Sequence, residues 1–211
     1  MKTRLALVMA GAAVLLLAMA APALAMRSVD AGVPYGWLLQ LRGAKRMPVP
    51  SYAYRAWEAR SGVLATVVDN NKTPDDATDD LSYTGIGLWR LVGRIDDAHP
   101  GSFNEALATT APGYNVVITG VDGFSATFTS AEVATLKDAL VVADSMNGTP
   151  LYLGTASIKN DVASWKPMWP LKVVTNDANV FNNRKVAGVE RISIVPATPA
   201  TLATPSSVSP F

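Results

Sequence analysis

The chain of 211 residues has no cysteine and only one histidine. Without a thiol there can be no disulfide, no thiolate metal ligand and no lipid-modified signal cysteine. His99 stands beside Pro100 in a turn-like stretch and reads as an exposed loop residue rather than a ligand or acid–base group. Charge of one sign is also lacking. The 18 basic and 17 acidic residues give a formal charge of +1, which becomes −1 once Lys2 and Arg4 leave with the leader described next. That balance argues against a nucleic-acid or anionic-membrane partner. Beyond residue 25 no run approaches the roughly 18 consecutive apolar residues of a membrane-spanning helix, and no internal repeat is visible.

The one long apolar run lies at the start. Lys2 and Arg4 precede apolar residues from Leu5 to Ala20, and Ala23-Leu24-Ala25 supplies small residues at −3 and −1. This is the pattern of a signal peptide cleaved after Ala25, so residues 1–25 are set apart from the fold and the chain is expected to be secreted, at the cell surface or periplasmic. Residues 26–34 read as a lead-in and 35–195 as one domain. The tail 196–211, rich in Pro, Ala, Ser and Thr and without charge, reads as a flexible linker.

The most informative stretch is 114–151. Val116, Ile118 and Gly120 alternate with Asn115, Val117 and Thr119, which predicts a strand. Asp122-Gly123 predicts a turn, because glycine tolerates positive φ and aspartate can bond its own backbone. A second strand follows over 124–129, with Phe124, Ala126 and Phe128 on one side. Ser130 reads as the N-cap of a helix carrying Val133, Leu136 and Leu140. Asn147-Gly148 turns the chain again. Elsewhere, strands are predicted over 37–42, 63–68 (a buried one), 81–84, 171–175 and 189–195. Short helices are predicted after Ser51, over 88–92 and around Phe103 to Leu107. Strands near hairpin turns, interleaved with short helices, indicate an α+β domain with a mixed sheet or barrel-like core.

The segments TGIGLWRLV (84–92), GYNVVITGVDGFSATFTSAEV (113–133), ALVVADSMNGTPL (139–151), WPLKVV (169–174) and GVERISI (188–194) follow one another in an order and spacing that resembles the oxidoreductase molybdopterin-binding domain, the sulfite-oxidase fold. The resemblance spans roughly residues 35–195. It implies molybdenum held by a pterin dithiolene and one cysteine, in the loop after the strand corresponding to 63–68. Here that place is Asp69-Asn70-Asn71, and oxygen ligands do not replace a soft thiolate electronically. The resemblance therefore implies a descendant without oxygen-atom-transfer catalysis and with no catalytic residue to name. It also implies that a pterin phosphate, if one is retained, is cradled by Asn183, Arg184 and Lys185. The plain reading of those three is a solvated basic turn.

A second candidate site stands on spacing alone. In DNNKTPDDATDD, Asp69, Asn71, Thr73, Asp75 and Asp80 occupy positions 1, 3, 5, 7 and 12 of a calcium-loop pattern, and calcium accepts about six to eight oxygens in irregular geometry. Pro74 at position 6 and an aspartate at position 12 depart from that pattern, and a solvated acidic loop is the alternative. Trp165 and Trp169 flank prolines and, with Tyr83, could stack on a flat ligand. The expected function is a secreted, non-catalytic binding or structural module for an unidentified protein or small-molecule partner. No cofactor is expected beyond possible calcium, and a molybdopterin-binding oxidoreductase without the cysteine ligand is the alternative.

Overall fold

In a computed structural model the described residues are 38–69, 77–99, 101–151, 171–177 and 184–196. The extended runs pair into two open sheets. The first is ordered β2 (Arg46–Pro50), β1 (Leu38–Arg42), β10 (Val189–Val195), β5 (Asn115–Gly120), β6 (Ser125–Thr129). The second runs β3 (Leu64–Asp69), β4 (Leu81–Gly87), β7 (Leu140–Met146). β7 pairs along its first half with β9 (Lys172–Thr175) and at its end with β8 (Thr149–Pro150). All pairings are antiparallel except β1 with β10, which join the two ends of the described domain in parallel. Four short helices complete an α+β architecture: α1 (Ser51–Glu58), α2 (Leu88–Val92), α3 (Glu105–Thr109) and α4 (Ser130–Leu136). Among the described residues neither sheet closes on itself, so the barrel-like core expected from sequence is replaced by two open sheets. No helix among them is long and apolar enough to cross a membrane.

One buried cluster draws on both sheets and all four helices, including Leu39, Val116, Phe128, Ile86, Val142, Tyr54, Leu91, Leu107 and Val133. β7 explains why a second cluster exists. Its Leu140 and Val142 enter the first cluster, while Val141 and Ala143 enter another with Ala65, Val67, Tyr83 and Val174. A strand buried on both faces reads as a continuous apolar run, as LVVA does. Tyr54 anchors α1 to this strand: its hydroxyl donates to the Val142 carbonyl at 2.5 Å and accepts from the Ile86 amide at 3.3 Å. β4 crosses β7 so closely at Gly85 that a Cβ there would lie 2.1 Å from the Val142 oxygen.

Several local expectations are corrected. The strand after Gly62 is not buried throughout; Leu64 and Val68 are exposed and only alternate residues face inward. β4 continues through Gly87, beyond the predicted end at Thr84. Phe124 is 46% exposed at the hairpin, because β6 starts one residue later and only Ala126 and Phe128 turn inward. The turn itself forms as its residues dictate: the Asp122 carboxylate accepts the Phe124 amide at 2.9 Å, and Gly123 has φ of 83°. Leu140 belongs to β7, since α4 stops at Leu136 and Lys137 adopts φ of 45°. Ser51 is the first residue of α1, with Pro50 before it supplying no side-chain cap.

Ser130 is the most instructive of these. The cap of α4 is Thr129, whose hydroxyl accepts the Glu132 amide while the Glu132 carboxylate returns to the Thr129 amide, a capping box. Ser130 lies one residue inside and is buried. Its hydroxyl donates to the Ala108 carbonyl at 2.6 Å and accepts from the Tyr114 amide at 3.1 Å, tying the end of α3 to the approach to β5. Deleting a buried hydroxyl that satisfies a backbone amide costs about 1–3 kcal/mol, whereas an exposed cap is worth about 1 kcal/mol. Chemical denaturation should therefore rank Ser130→Ala as more destabilising than Thr129→Ala, the reverse of the order that the cap reading of Ser130 implies.

Candidate functional site

The two sequence-derived sites meet on the second sheet. Asp69 ends β3 on the same side as Ala65 and Val67, and the β3–β4 register sets it opposite Leu81. Asp80, just before β4, is thereby brought to the same end of the hairpin. Asn71, Thr73 and Asp75 lie outside the described residues. Asp80 leaves its Oδ1 buried with no hydrogen-bond partner. Asp69, buried, forms an ion pair with the ammonium of Lys185. Lys185 reaches it because its segment runs beside β9: the Val173 amide donates to the Val186 carbonyl, and Lys172 bridges to Ala187.

Next to this pair stand two residues that sequence reasoning did not assign to a polar site, Tyr83 and Lys172. The Lys172 ammonium donates to the Tyr83 hydroxyl at 2.7 Å and lies 4.5 Å from the centre of its ring. Burial pulls the Lys172 pKa down, and the negative charge of Asp69 works against that shift. Burial pushes the Tyr83 phenol up, Asp69 adds to the rise, and Lys185 opposes it. Two ammonium groups, one carboxylate and one phenol thus form a single electrostatic unit with a formal charge of +1 when the phenol is neutral. The signal for Lys172 was available: it is the one charged residue in LKVVT, and the pleat sets it on the face of Val174. Tyr83, expected to stack on a ligand beside Trp165 and Trp169, is instead buried with Val67 and Val141, and both tryptophans lie outside the described residues.

Arg184 does not join this unit. Its guanidinium pairs with Glu132 at 2.8 Å and lies 5.2 Å from the Phe128 ring centre, on the first sheet and α4. Burial acts to raise the Glu132 pKa, but the Thr129 amide and Arg184 together hold it below the usual carboxylate range. Arg184 and Lys185, though adjacent in sequence, thus serve different elements. Asn183 lies outside the described residues. The expected phosphate cradle is thus divided, with each cation already matched to a carboxylate.

These residues do not fit a molybdenum centre of the kind that the resemblance implies. The chain has no cysteine, and the carboxylate at position 69 is neutralised by Lys185 rather than left open as a ligand. His99, with its side chain 66% exposed, stands 3.8 Å from the Asp97 carboxylate.

Removing one partner of a shielded ion pair strands the other, at a cost of about 1–3 kcal/mol once partial solvent access is allowed for. Asp69→Asn and Lys185→Met should each destabilise by about that amount, and the double variant by clearly less than the sum of the two. A double-mutant cycle in urea checks this; strict additivity would mean that the pair contributes nothing.

No protein-family model matches the chain, and no curated protein matches it.

Proposed function

We propose that the chain is a non-catalytic binding module of the sulfite-oxidase type of fold that works outside the cytoplasm after loss of residues 1–25. The Asp69–Lys185 ion pair carries this reading. It joins the position where the resemblance would put the metal ligand to the segment where it would put the pterin phosphate. An internal salt bridge there neutralises both sides of a cofactor seat, which is what a scaffold that has given up its cofactor needs in order to bury the place. The order of the five resembling segments supports the fold. The absence of a thiol supports the loss of oxygen-atom transfer. The leader and the uncharged tail support export and display, with a protein or small-molecule ligand as the partner.

Calcium is the proposed stabiliser. The orphaned Asp80 Oδ1 is an acceptor in search of a donor or a cation, and the β3–β4 hairpin holds it near Asp69. Calcium would have to compete with the Lys185 ammonium for the Asp69 carboxylate, which implies a weak site of the extracellular kind.

One observation favours the second reading, a module that keeps a pterin without its metal–cysteine bond. Lys172 has no carboxylate of its own among the described residues, leaving a surplus cation on this face that suits a phosphate.

Elemental analysis and an absorption spectrum decide between the two, on mature protein from a host that makes molybdenum cofactor. The expected result is neither molybdenum nor a pterin chromophore. Near-stoichiometric molybdenum overturns the proposal, and a pterin chromophore alone establishes the second reading. Calcium should raise the melting temperature of the wild type and not of Asp80→Ala; equal shifts in both would remove the loop from the proposal.

A further inference from the structure

The loop between α2 and α3 buries two consecutive carboxylates. Asp96 is 1% exposed and Asp97 6%. Both hold Asn104: Asp96 Oδ2 accepts its backbone amide at 2.7 Å and Asp97 Oδ2 its side-chain amide at 2.9 Å. Asn104 is in turn the N-cap of α3, its Oδ1 accepting the Leu107 amide at 3.0 Å. The remaining oxygen of Asp97 accepts the His99 amide at 2.6 Å. The remaining oxygen of Asp96, Oδ1, has no partner, and neither does the hydroxyl of Tyr114, which is 3% exposed at the approach to β5.

Among the described residues no lysine or arginine pairs with either carboxylate. The nearest basic group is the His99 ring, 3.8 Å from Asp97 and turned largely to solvent. Arg94, close by in sequence, lies over the Trp57 ring at 4.6 Å. Two adjacent carboxylates removed from water cannot both stay ionised without a counter-charge.

We propose that Asp96 holds a proton in the folded chain, which makes this loop a pH-sensitive latch holding the α3 cap against the start of β5. A proton on Asp96 Oδ1 turns an orphaned acceptor into a donor, in a cluster where the Tyr114 oxygen is an orphaned acceptor. Burial pushes the Asp96 carboxyl up to about 7; the charge of Asp97 acts in the same direction, and the backbone amides of Asn104, Asp96 and Asp97 oppose it. Burial, with both aspartates adding to it, raises the Tyr114 phenol well above its usual range, so it stays a neutral hydroxyl. The groups facing Asp96 are thus Asp97 from its own loop, Asn104 from the α3 cap and Tyr114 from the β5 approach.

The sign follows from proton binding. An unfolded Asp96 gives up its proton near 3.8, the folded one near 7. The folded chain therefore binds the extra proton in between, and its stability falls as pH rises through that window.

The test is denaturation of the mature protein from about pH 5 to about pH 9, for the wild type, Asp96→Asn and Tyr114→Phe. The wild type should lose stability from about pH 5 up to about pH 7 and level off above it, and Asp96→Asn, which cannot ionise, should lose that slope. Tyr114→Phe should keep part of it, because burial still raises the Asp96 carboxyl while its proton loses the Tyr114 oxygen as acceptor. If Asp96→Asn fails to fold, the carboxyl carbon resonance of Asp96 in the wild type decides. A midpoint near 7 supports the latch, and one near the ordinary 3.8 overturns it. Identical slopes in wild type and Asp96→Asn also overturn it. So does stabilisation of the wild type by calcium or sodium that Asp96→Asn abolishes, since a metal ion would then supply the counter-charge.

Discussion

The structure depends most on the strand that has no free face. β7 places Leu140 and Val142 in one cluster and Val141 and Ala143 in another, and its edges pair with β4, β9 and β8. Each fully buried valine or leucine side chain contributes about 1.5–3 kcal/mol, so Leu140, Val141 and Val142 in a row make β7 a place where packing is concentrated. The polar groups of the site gather towards the Ala143–Met146 end of β7, where Lys172 pairs with Ala143 and Tyr83 with Met146. In such surroundings charges are poorly screened and influence one another's protonation, as the shifts on Tyr83 and Lys172 record.

Much of the fold was legible because it is written locally. Asp122-Gly123 and Asn147-Gly148 mark turns, the second with both residues at positive φ. The alternation of 115–120 and 189–195 marks strands that pair with each other. What sequence could not supply was partner choice. Leu140 continues a helical spacing from Val133, yet pairing with β9 makes it a strand residue. Ser130 has the chemistry of a cap, but a neighbouring threonine takes that role and frees the serine for a long-range bond. Phe124 looks like a core residue by alternation, and only the start of β6 shows that it is not.

The site was legible in part for the same reason. Asp69 and Lys185 were each singled out, the first by spacing in an acidic loop and the second by resemblance, and the two were assigned to different ligands. Their separation of 116 residues along the chain hid the fact that they answer each other. Arg184 and Lys185 looked like one basic patch because they are adjacent, whereas they pair with carboxylates on different elements. Asp96 and Asp97 were not singled out in the sequence; their burial and their shared hold on Asn104 are tertiary facts without local trace.

The first sheet has a property that bears on how the chain comes to be folded at all. β1 and β10 are neighbours in parallel, although almost the whole domain separates them in sequence. The first strand therefore stays open on one edge until the last has been delivered. Local hairpins can form early, but this sheet cannot be completed by a partial chain, and such distant contacts slow closure. Among the described residues this sheet is whole only when β10 has joined β1, so the domain commits to its shape late in folding.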